Sequence, residues 1–381
     1  MSISSSLQGR PRGTSEKLSR LNWAIITLLC ALAVTGVIMH FSVAEGSWAG
    51  RPLSHGGRFA VVLAIVIGVA LLDARIWMAA AYPVYFGALA LLVGVELFGE
   101  TRMGATRWLS LGPVSLQPSE IMKIGIVLAL ARYYHNIDPR NAGSLLWSIP
   151  PLLMIAAPVA LVMHQPDLGT SMLIAAAGVG IMFLAGLRWR YIVPAGIAAV
   201  GGAIAAYFFV LQQYQRDRIN TFLNPEADPL GTGYHVAQSK IAIGSAGLFG
   251  KGYLQGTQSQ GDFLPEKHTD FIFTMIGEEF GLIGAVAVLG LYFALFILTM
   301  AVSARARTMF GRLAAAGIAL TLALYVFINT SMVIGLVPVV GIPLPLISFG
   351  GTAMLTLMTG YAIVLSIDLH RDQSSTRGFL W

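Results

Sequence analysis

The stretch LNWAIITLLCALAVTGVIMHFSV at residues 21–43 decides the fold class, because it is predominantly apolar and contains no Asp, Glu, Lys or Arg. About 20 such residues suffice for a helix to cross the hydrocarbon core of a bilayer. Further stretches of this kind follow along the chain. The sequence therefore predicts an all-α integral membrane protein with ten transmembrane helices, at about 21–43, 58–74, 77–98, 118–134, 147–163, 168–187, 190–211, 271–300, 312–336 and 346–368.

The composition supports this interpretation. Of the 381 residues, 56% are hydrophobic and 11% are charged, whereas a soluble domain contains about 25% Asp, Glu, Lys and Arg. Soluble, disordered and nucleic-acid-binding classes are therefore excluded, although the formal net charge is +6. The single cysteine, Cys30, lies inside the first apolar stretch, so neither a disulfide framework nor a cysteine-based metal site is expected.

The basic residues predict the orientation, because short loops rich in Lys and Arg remain on the cytoplasmic side. Basic residues occur in the N-terminal tail and in alternate connections, so both termini are expected to be cytoplasmic. The first apolar stretch is too long for a secretory signal and is interpreted as a retained anchor. The predicted organisation is a tail at 1–20, helices one to seven at 21–211, a large extracytoplasmic loop at 212–270, helices eight to ten at 271–368 and a tail at 369–381.

Three outer segments contain most of the features that could form a site. Loop 212–270 combines turn-forming Gly and Pro with aromatic and isolated charged residues, which favours an ordered loop. The shorter loop 99–117 is expected to fold back against the bundle. Segment 335–351, GLVPVVGIPLPLISFGG, is too rich in Pro and Gly for a continuous helix and predicts a re-entrant turn that shapes a pocket, with Ser348 as a polar lining residue.

Asp270 lies where the large loop meets the eighth apolar stretch, in LPEKHTDFIF at 264–273. Apolar neighbours would partly desolvate its carboxylate, which suits a general base. The alternative is a helix N-cap formed by Asp270 or Thr269. His268 is open to two roles as well: it could orient a proton transfer, or it could be a loop histidine that is hydrogen-bonded to the backbone.

Charged residues within apolar stretches are costly, so they pair or face a polar cavity. Glu120 and Lys123 are three residues apart on one helical face. They are either a mutually neutralising structural pair or residues that support a polar cavity. Glu278 and Glu279 point about 100° apart on a helix, so we expect at least one of them to have an internal partner; a proton relay would suit a transporter.

Basic residues of the outer loop could hold phosphate through charge-assisted hydrogen bonds, or they could simply be solvated. The principal candidates are Arg216, Arg218 and Lys240. No metal-ligand motif, Walker loop, Ser-His-Asp arrangement or dinucleotide motif is recognisable in the sequence.

Several segments in order along the chain resemble the SEDS family of cell-wall polymerases. They cover most of the region from 104 to 351 and read GATRWLSLGPVSLQPSEIMK, QPDLGT, NPEADPLGTGYHVAQSKIAIGSAGLFGKG, GTQSQGDFLPEKHTDFIF, HTDFIFTMIGEEFGLIG and GLVPVVGIPLPLISFGG. The segments at 234–252 and 256–273 are more similar to the elongation branch of the family than to its cell-division branch. Gly261 and Phe280 are small departures from the family pattern.

The resemblance implies a GT-C-like bundle in the bacterial inner membrane. It also implies a peptidoglycan glycosyltransferase that polymerises lipid II into β-1,4-linked glycan strands during elongation and rod-shape maintenance. The family's essential acid matches Asp270, its intramembrane Glu and Lys match Glu120 and Lys123, and its RW pair matches Arg107 and Trp108. The implied partners are a class B penicillin-binding protein and other elongation-complex membrane proteins. No cofactor is implied with certainty; a divalent cation is an alternative source of positive charge.

The linkage chemistry suggests a mechanism. The donor sugar is α-linked and the product is β-linked, so one inverting displacement suffices. In this hypothesis Asp270 deprotonates the acceptor 4-hydroxyl, and basic residues of the loop offset the charge that develops on the departing pyrophosphate. A lipid-linked precursor flippase or transporter is the alternative, because apolar stretches alone permit it, and a scaffold for a partner enzyme is a third.

Overall fold

The computed structural model describes residues 13–102, 105–111, 114–209, 211, 213–223, 232–261 and 267–371. The helices are α1 (Thr14–Ser19), α2 (Trp23–Val43), α3 (Arg51–Ala70), α4 (Ala74–Phe98), α5 (Pro118–His135), α6 (Leu145–His164), α7 (Leu168–Leu184), α8 (Trp189–Phe209), α9 (Gln213–Leu223), α10 (Thr232–Ser245), α11 (Thr257–Gln260), α12 (Ile272–Arg305), α13 (Met309–Val333) and α14 (Gly351–His370). The strands are β1 (Glu100–Arg102), β2 (Ala105–Leu111) and β3 (Val114–Leu116).

The prediction of a predominantly helical membrane protein is confirmed. Within the described residues, 7 helices are long and apolar enough to cross a membrane: α2, α3, α4, α6, α12, α13 and α14. Of the other three predicted spans, α8 is a helix of 21 residues with Pro194 inside it, whereas α7 has 17 residues and α5 contains Glu120, Lys123 and Arg132 among its apolar residues. Helix α7 therefore differs from the apolar spans in its length, and α5 differs from them in its charged residues.

Helices α5, α13 and α14 form the centre of the bundle. Helix α5 is buried around almost its whole circumference, and α13 and α14 are buried over most of their length. By contrast, α3, α4 and α12 expose large apolar side chains such as Val61, Phe86 and Phe293. A contiguous exposed apolar surface is rare on a soluble monomer, so these outer helices have the surface expected of helices that face lipid.

The connection 99–117 differs from the all-α prediction, because it folds into a small sheet. The order is β1-β2-β3, and both neighbouring pairs are antiparallel. Trp108 lies opposite Glu100, and Leu109 lies opposite Leu116. A short hairpin satisfies backbone groups that an extended loop would leave unpaired. The large loop is also partly helical, since α9, α10 and α11 lie within 212–270.

Candidate functional site

Asp270 lies immediately before α12, in a position that the preceding loop and a distant turn both define. The N-cap of α12 is Phe271, which makes no side-chain capping bond, so neither Asp270 nor Thr269 is the cap that the sequence offered as the alternative. Asp270 is partly buried. A methyl group on Gly341, which has φ 71°, would lie 3.5 Å from Asp270 Oδ2. The carboxylate therefore lies beside the re-entrant turn that the sequence predicted.

Three consecutive carbonyl oxygens fix the HTD segment against the region 329–349. The His268 oxygen accepts a hydrogen bond from Phe349 N at 2.9 Å, and the Thr269 oxygen accepts one from Ser348 Oγ at 2.6 Å. The Asp270 oxygen accepts one from Asn329 Nδ2 at 2.9 Å. These bonds anchor the main chain of each residue and so define where the Asp270 side chain projects.

Asn329 is a site residue that the sequence analysis missed. It is fully buried in α13, and its amide donates to the carbonyls of both Asp270 and Ile342, the latter at 2.7 Å. One side chain therefore links the start of α12 to the re-entrant turn. A polar amide inside an apolar helix was the available signal, because buried polar groups are normally retained only with partners.

Ser348 was predicted to line a pocket, and the structure places it in an internal contact. Its side chain is buried, its hydroxyl donates to the Thr269 carbonyl, and it accepts from Leu344 N at 2.8 Å. A serine hydroxyl has one proton to donate, so that proton is already used. Ser348 therefore positions the HTD segment in this structure.

Glu120 and Lys123 form the pair that their spacing predicted. Lys123 Nζ lies 2.6 Å from Glu120 Oε1, and both residues are buried. Tyr325 of α13, which the sequence did not reveal, completes the group: Lys123 donates to its hydroxyl, which donates to Glu120 Oε2 at 3.1 Å. The pair thus neutralises itself and links α5 to α13.

Arg107 brings two of the recognised motifs into contact. It projects from β2 and binds the QPD turn between α6 and α7, where its Nε lies 3.3 Å from the Gln165 carbonyl and 3.8 Å from Asp167 Oδ2. Its guanidinium also donates to the Pro166 carbonyl. Trp108 is the next residue of β2 and is partly buried. Arg107 therefore holds the small sheet against the bundle.

The predicted basic residues are not all placed in one cluster. Arg216 lies in α9 and donates to the Phe208 carbonyl at 3.0 Å, whereas the side chain of Arg218 lies outside the described part of the chain. Lys240 is exposed on α10, whose Ser239 bonds to Thr274 at 2.7 Å and to the Val333 carbonyl at 2.8 Å. Helix α10 thus packs on the first turn of α12 through Ser239, while the side chain of Lys240 lies beside Gly335, where a methyl group would come within 2.6 Å of Lys240 Nζ.

The adjacent acids Glu278 and Glu279 have different surroundings, as their angular separation predicted. Glu278 is fully buried, and its Oε1 lies 2.8 Å from Lys251 Nζ, which confirms that one of the two acids has an internal partner. Glu279 accepts a hydrogen bond from Ser42. Among the residues that the structure describes, no group of three or more His, Cys, Asp and Glu side chains could hold a metal ion.

The comparisons with known proteins agree with the motifs. A family model described as a cell cycle protein of the FtsW, RodA and SpoVE type matches residues 18–373. The Escherichia coli peptidoglycan glycosyltransferase MrdB is 45% identical over 93% of this chain and 95% of its own length. A probable peptidoglycan glycosyltransferase FtsW from Trichlorobacter lovleyi is 34% identical over 92% of this chain and 94% of its own length.

Solved structures extend the similarity to the fold. A chain from a peptidoglycan synthase complex that coordinates polymerisation and crosslinking matches with a TM-score of 0.79 at 30% identity, covering 93% of this chain and 99% of that one. The Thermus thermophilus rod shape determining protein RodA matches with a TM-score of 0.68 at 27% identity, covering 93% and 98%. The resemblance to the SEDS polymerases is confirmed, and this chain belongs to the FtsW/RodA/SpoVE family.

Proposed function

We propose that this chain polymerises lipid II into β-1,4-linked glycan strands during cell elongation, with Asp270 as the general base. The enzyme class follows from family membership and from relatives that share the activity across nearly their whole length. The chain is a peptidoglycan glycosyltransferase. The observation that carries the proposed mechanism is the anchoring of the HTD segment, which fixes the main chain of Asp270 at three consecutive carbonyls.

The reaction requires one base and one source of positive charge. Asp270 removes the proton of the acceptor GlcNAc 4-hydroxyl as that oxygen attacks C1 of the donor MurNAc, and the α-linked pyrophosphate departs from the opposite face. A base whose main chain is fixed serves this step well, because effective general bases must lie within hydrogen-bond reach of the proton. Inversion at C1 then gives the β linkage in a single displacement.

Cationic side chains stabilise the departing pyrophosphate, because charge develops on its oxygens in the transition state. Lys240 is the candidate that we favour, since its helix packs on the start of α12 through Ser239 and Thr274 and its side chain lies beside Gly335, where the segment 335–351 begins. Arg216 and Arg218 lie earlier in the loop, in α9, and we assign them to binding the lipid-linked donor as it approaches the site. His268 is assigned to orienting the proton transfer at Asp270.

Two further groups have supporting roles in this proposal. Glu120 and Lys123, with Tyr325, maintain the polar centre of the bundle between α5 and α13. Arg107 and Trp108 hold the small sheet over the turn before α7. Their packing keeps the outer end of the bundle shaped for a bulky lipid-linked sugar.

The membrane arrangement and the partner are part of the same proposal. We place ten spans in the bacterial inner membrane, with both termini cytoplasmic and loop 212–270 on the outer face, because the basic residues concentrate in the opposite connections. A class B penicillin-binding protein would crosslink the strands, together with other elongation-complex membrane proteins. Similarity to a chain of a synthase complex that couples polymerisation with crosslinking supports this partner.

The decisive test replaces Asp270 by Asn in the full-length protein and measures polymerisation of purified lipid II with and without the partner transpeptidase. The change keeps the shape of the side chain but removes the base, so we expect a loss of at least about 100-fold in turnover with an unchanged unfolding temperature. Asp138→Asn is the matched control, because Asp138 is exposed in the turn after α5 and should retain wild-type activity. Near-normal turnover of Asp270→Asn would remove Asp270 as the base.

A further inference from the structure

Helix α12 is interrupted soon after the residue proposed as the base. Gly281 has φ 67° and ψ −161°, a conformation that is essentially restricted to glycine. The segment from Ile272 to Phe280 is therefore not a rigid extension of the longer segment that ends at Arg305. Since helical continuity does not fix the orientation of the first segment, other contacts must do so.

The loop that precedes the site fills this interruption with backbone hydrogen bonds. Lys251 N and Gly252 N donate to the carbonyls of Glu278 and Glu279 at 2.9 and 3.1 Å. In return, the amides of Leu282 and Ile283 donate to the carbonyls of Gly247 and Leu248, both at 3.1 Å. Loop 247–252 thus replaces part of the helical ladder. The approach is close, because a methyl group on Gly250 would lie 2.2 Å from the Glu279 carbonyl oxygen.

An ion pair between the partly exposed Lys251 and the buried Glu278 joins the same loop to the same turn of α12. Glu278 Oε1 accepts from Lys251 Nζ at 2.8 Å and from Gln258 N at 2.9 Å, while Thr257 Oγ1 lies 3.3 Å away. Lys251 also donates to Thr257 at 2.8 Å. Glu278 is fully buried, so removing the charge of Lys251 leaves a buried carboxylate less well compensated. We call Lys251, Thr257, Gln258 and Glu278 the loop lock.

The locked loop is also attached to α2. The Tyr253 hydroxyl donates to the Ile38 carbonyl at 2.9 Å. Burial, followed by the nearby charge of Glu279, raises the pKa of the Tyr253 phenol, so it remains a hydrogen-bond donor at neutral pH. Through Tyr253 and the loop lock, the first segment of α12 is thus connected to α2 by contacts that do not involve Asn329 or Ser348.

We infer that Lys251 and Glu278 are positioning residues for glycosyl transfer: they orient the segment 271–280 and thereby the carboxylate of Asp270. The segment is anchored at its start by the carbonyl contacts of residues 268–270 and at its end by the loop lock. Because a displacement of about 1 Å can cost about 100-fold in rate, loosening one anchor should slow the chemical step while Asp270 itself is intact. This inference rests on the proposed function.

The test compares Lys251→Met, Glu278→Gln and the double variant in the full-length protein, with lipid II as the substrate. Each single variant should lower kcat by about 10- to 100-fold with KM changed less than about twofold. The double variant should be no slower than the slower single variant, because both changes break the same contact. Lys17→Met is the matched control: Lys17 donates to the Leu71 carbonyl, far along the chain from the loop lock, and should retain wild-type kcat.

Hydrogen exchange separates positioning from a general loss of structure. In the single variants, exchange should accelerate at 247–258 and 271–283 while α13 remains protected. Wild-type kcat in both single variants would overturn the inference, and so would a loss of kcat that matches faster exchange throughout the chain. Asp270→Asn, assayed alongside, keeps the two proposals distinct: full activity of that variant refutes the base, whereas an inactive Asp270→Asn with fully active lock variants refutes only the positioning role.

Discussion

Glu120 and Asp270, two acids of the bundle, are held in different ways. The carboxylate of Glu120 is enclosed by Lys123 and Tyr325, and all three residues are buried. Asp270 is partly buried, and Asn329 donates a hydrogen bond to its main-chain carbonyl. A buried charge must be neutralised by its neighbours, so Glu120 has a structural environment. The main chain of Asp270 is fixed by Asn329, and this fixed position suits the role of general base that we propose for its side chain.

The difference shows two ways in which acidic residues are accommodated in this bundle. A structural acid uses its own oxygens to connect helices, as Glu120 does between α5 and α13. Around Asp270, the proposed base, Asn329 and Ser348 bind the peptide carbonyls of Asp270 and Thr269. Substitutions at these partners should therefore have different consequences: loss of stability in the first group, and loss of turnover in addition to stability in the second.

The largest effect on stability is expected when Lys123 is replaced by Met. Glu120 then keeps Tyr325 but loses its counter-charge in a buried site, which costs about 3–5 kcal/mol. Thermal unfolding in detergent micelles or nanodiscs measures the loss. The double variant Lys123→Met with Glu120→Gln should recover most of it, because no unpaired charge remains. If the double variant were as unstable as the single variant, the enclosed pair would not be the source of the effect.

A smaller effect on stability, together with a loss of turnover, is expected for Asn329→Leu. Leu has the same branching at Cγ but cannot donate to the carbonyls of Asp270 and Ile342, and each unsatisfied buried carbonyl costs about 1–3 kcal/mol. Because one of these carbonyls belongs to Asp270, kcat for lipid II polymerisation should fall by about tenfold or more. Asn136→Leu, at an exposed position after α5, is the control. An Asn329→Leu variant with reduced stability and wild-type kcat would contradict the comparison.

The sequence revealed the members of each group that are local or carry charge. The spacing of Glu120 and Lys123 predicted their pairing, since both lie on one helical face, and the structure confirms it. Tyr325 and Asn329 were not predicted, because their partners lie in distant elements and only the fold brings them together. A single uncharged polar residue changes the mean hydropathy of an apolar helix very little, so it is hard to recognise from the sequence.

The helix boundaries show the same limit. The second apolar stretch was predicted at 58–74, but α3 runs from Arg51 to Ala70. Its polar first turns lower the hydropathy, yet they are helical and packed: His55 is buried, with its Nε2 2.8 Å from the Leu346 carbonyl oxygen. The interruption of α12 at Gly281 was equally invisible in the sequence, because glycine is common in transmembrane helices and only the approach of loop 247–252 requires it there.

The smallest effect is expected for Ser348→Ala, and it tests the comparison most closely. The change removes one bond to the Thr269 carbonyl and one from Leu344 N, at a cost of about 1 kcal/mol. Ser366→Ala is a close control, because the buried Ser366 hydroxyl makes the same kind of bond to the Leu72 carbonyl at 2.7 Å. Both variants should unfold at slightly lower temperature.

Turnover should then distinguish the two serines. Only Ser348→Ala should lower kcat, by a few fold, because Phe349 and Asn329 still hold the neighbouring carbonyls of the HTD segment. The Ser366 contact lies near the C-terminal end of α14, 15 residues or roughly 22 Å from the start of that helix at Gly351, and its partner Leu72 makes none of the bonds that hold the HTD segment. Equal kcat values for the two variants would mean that the hydrogen bonds to the carbonyls of residues 268–270 stabilise the fold without orienting the proposed base.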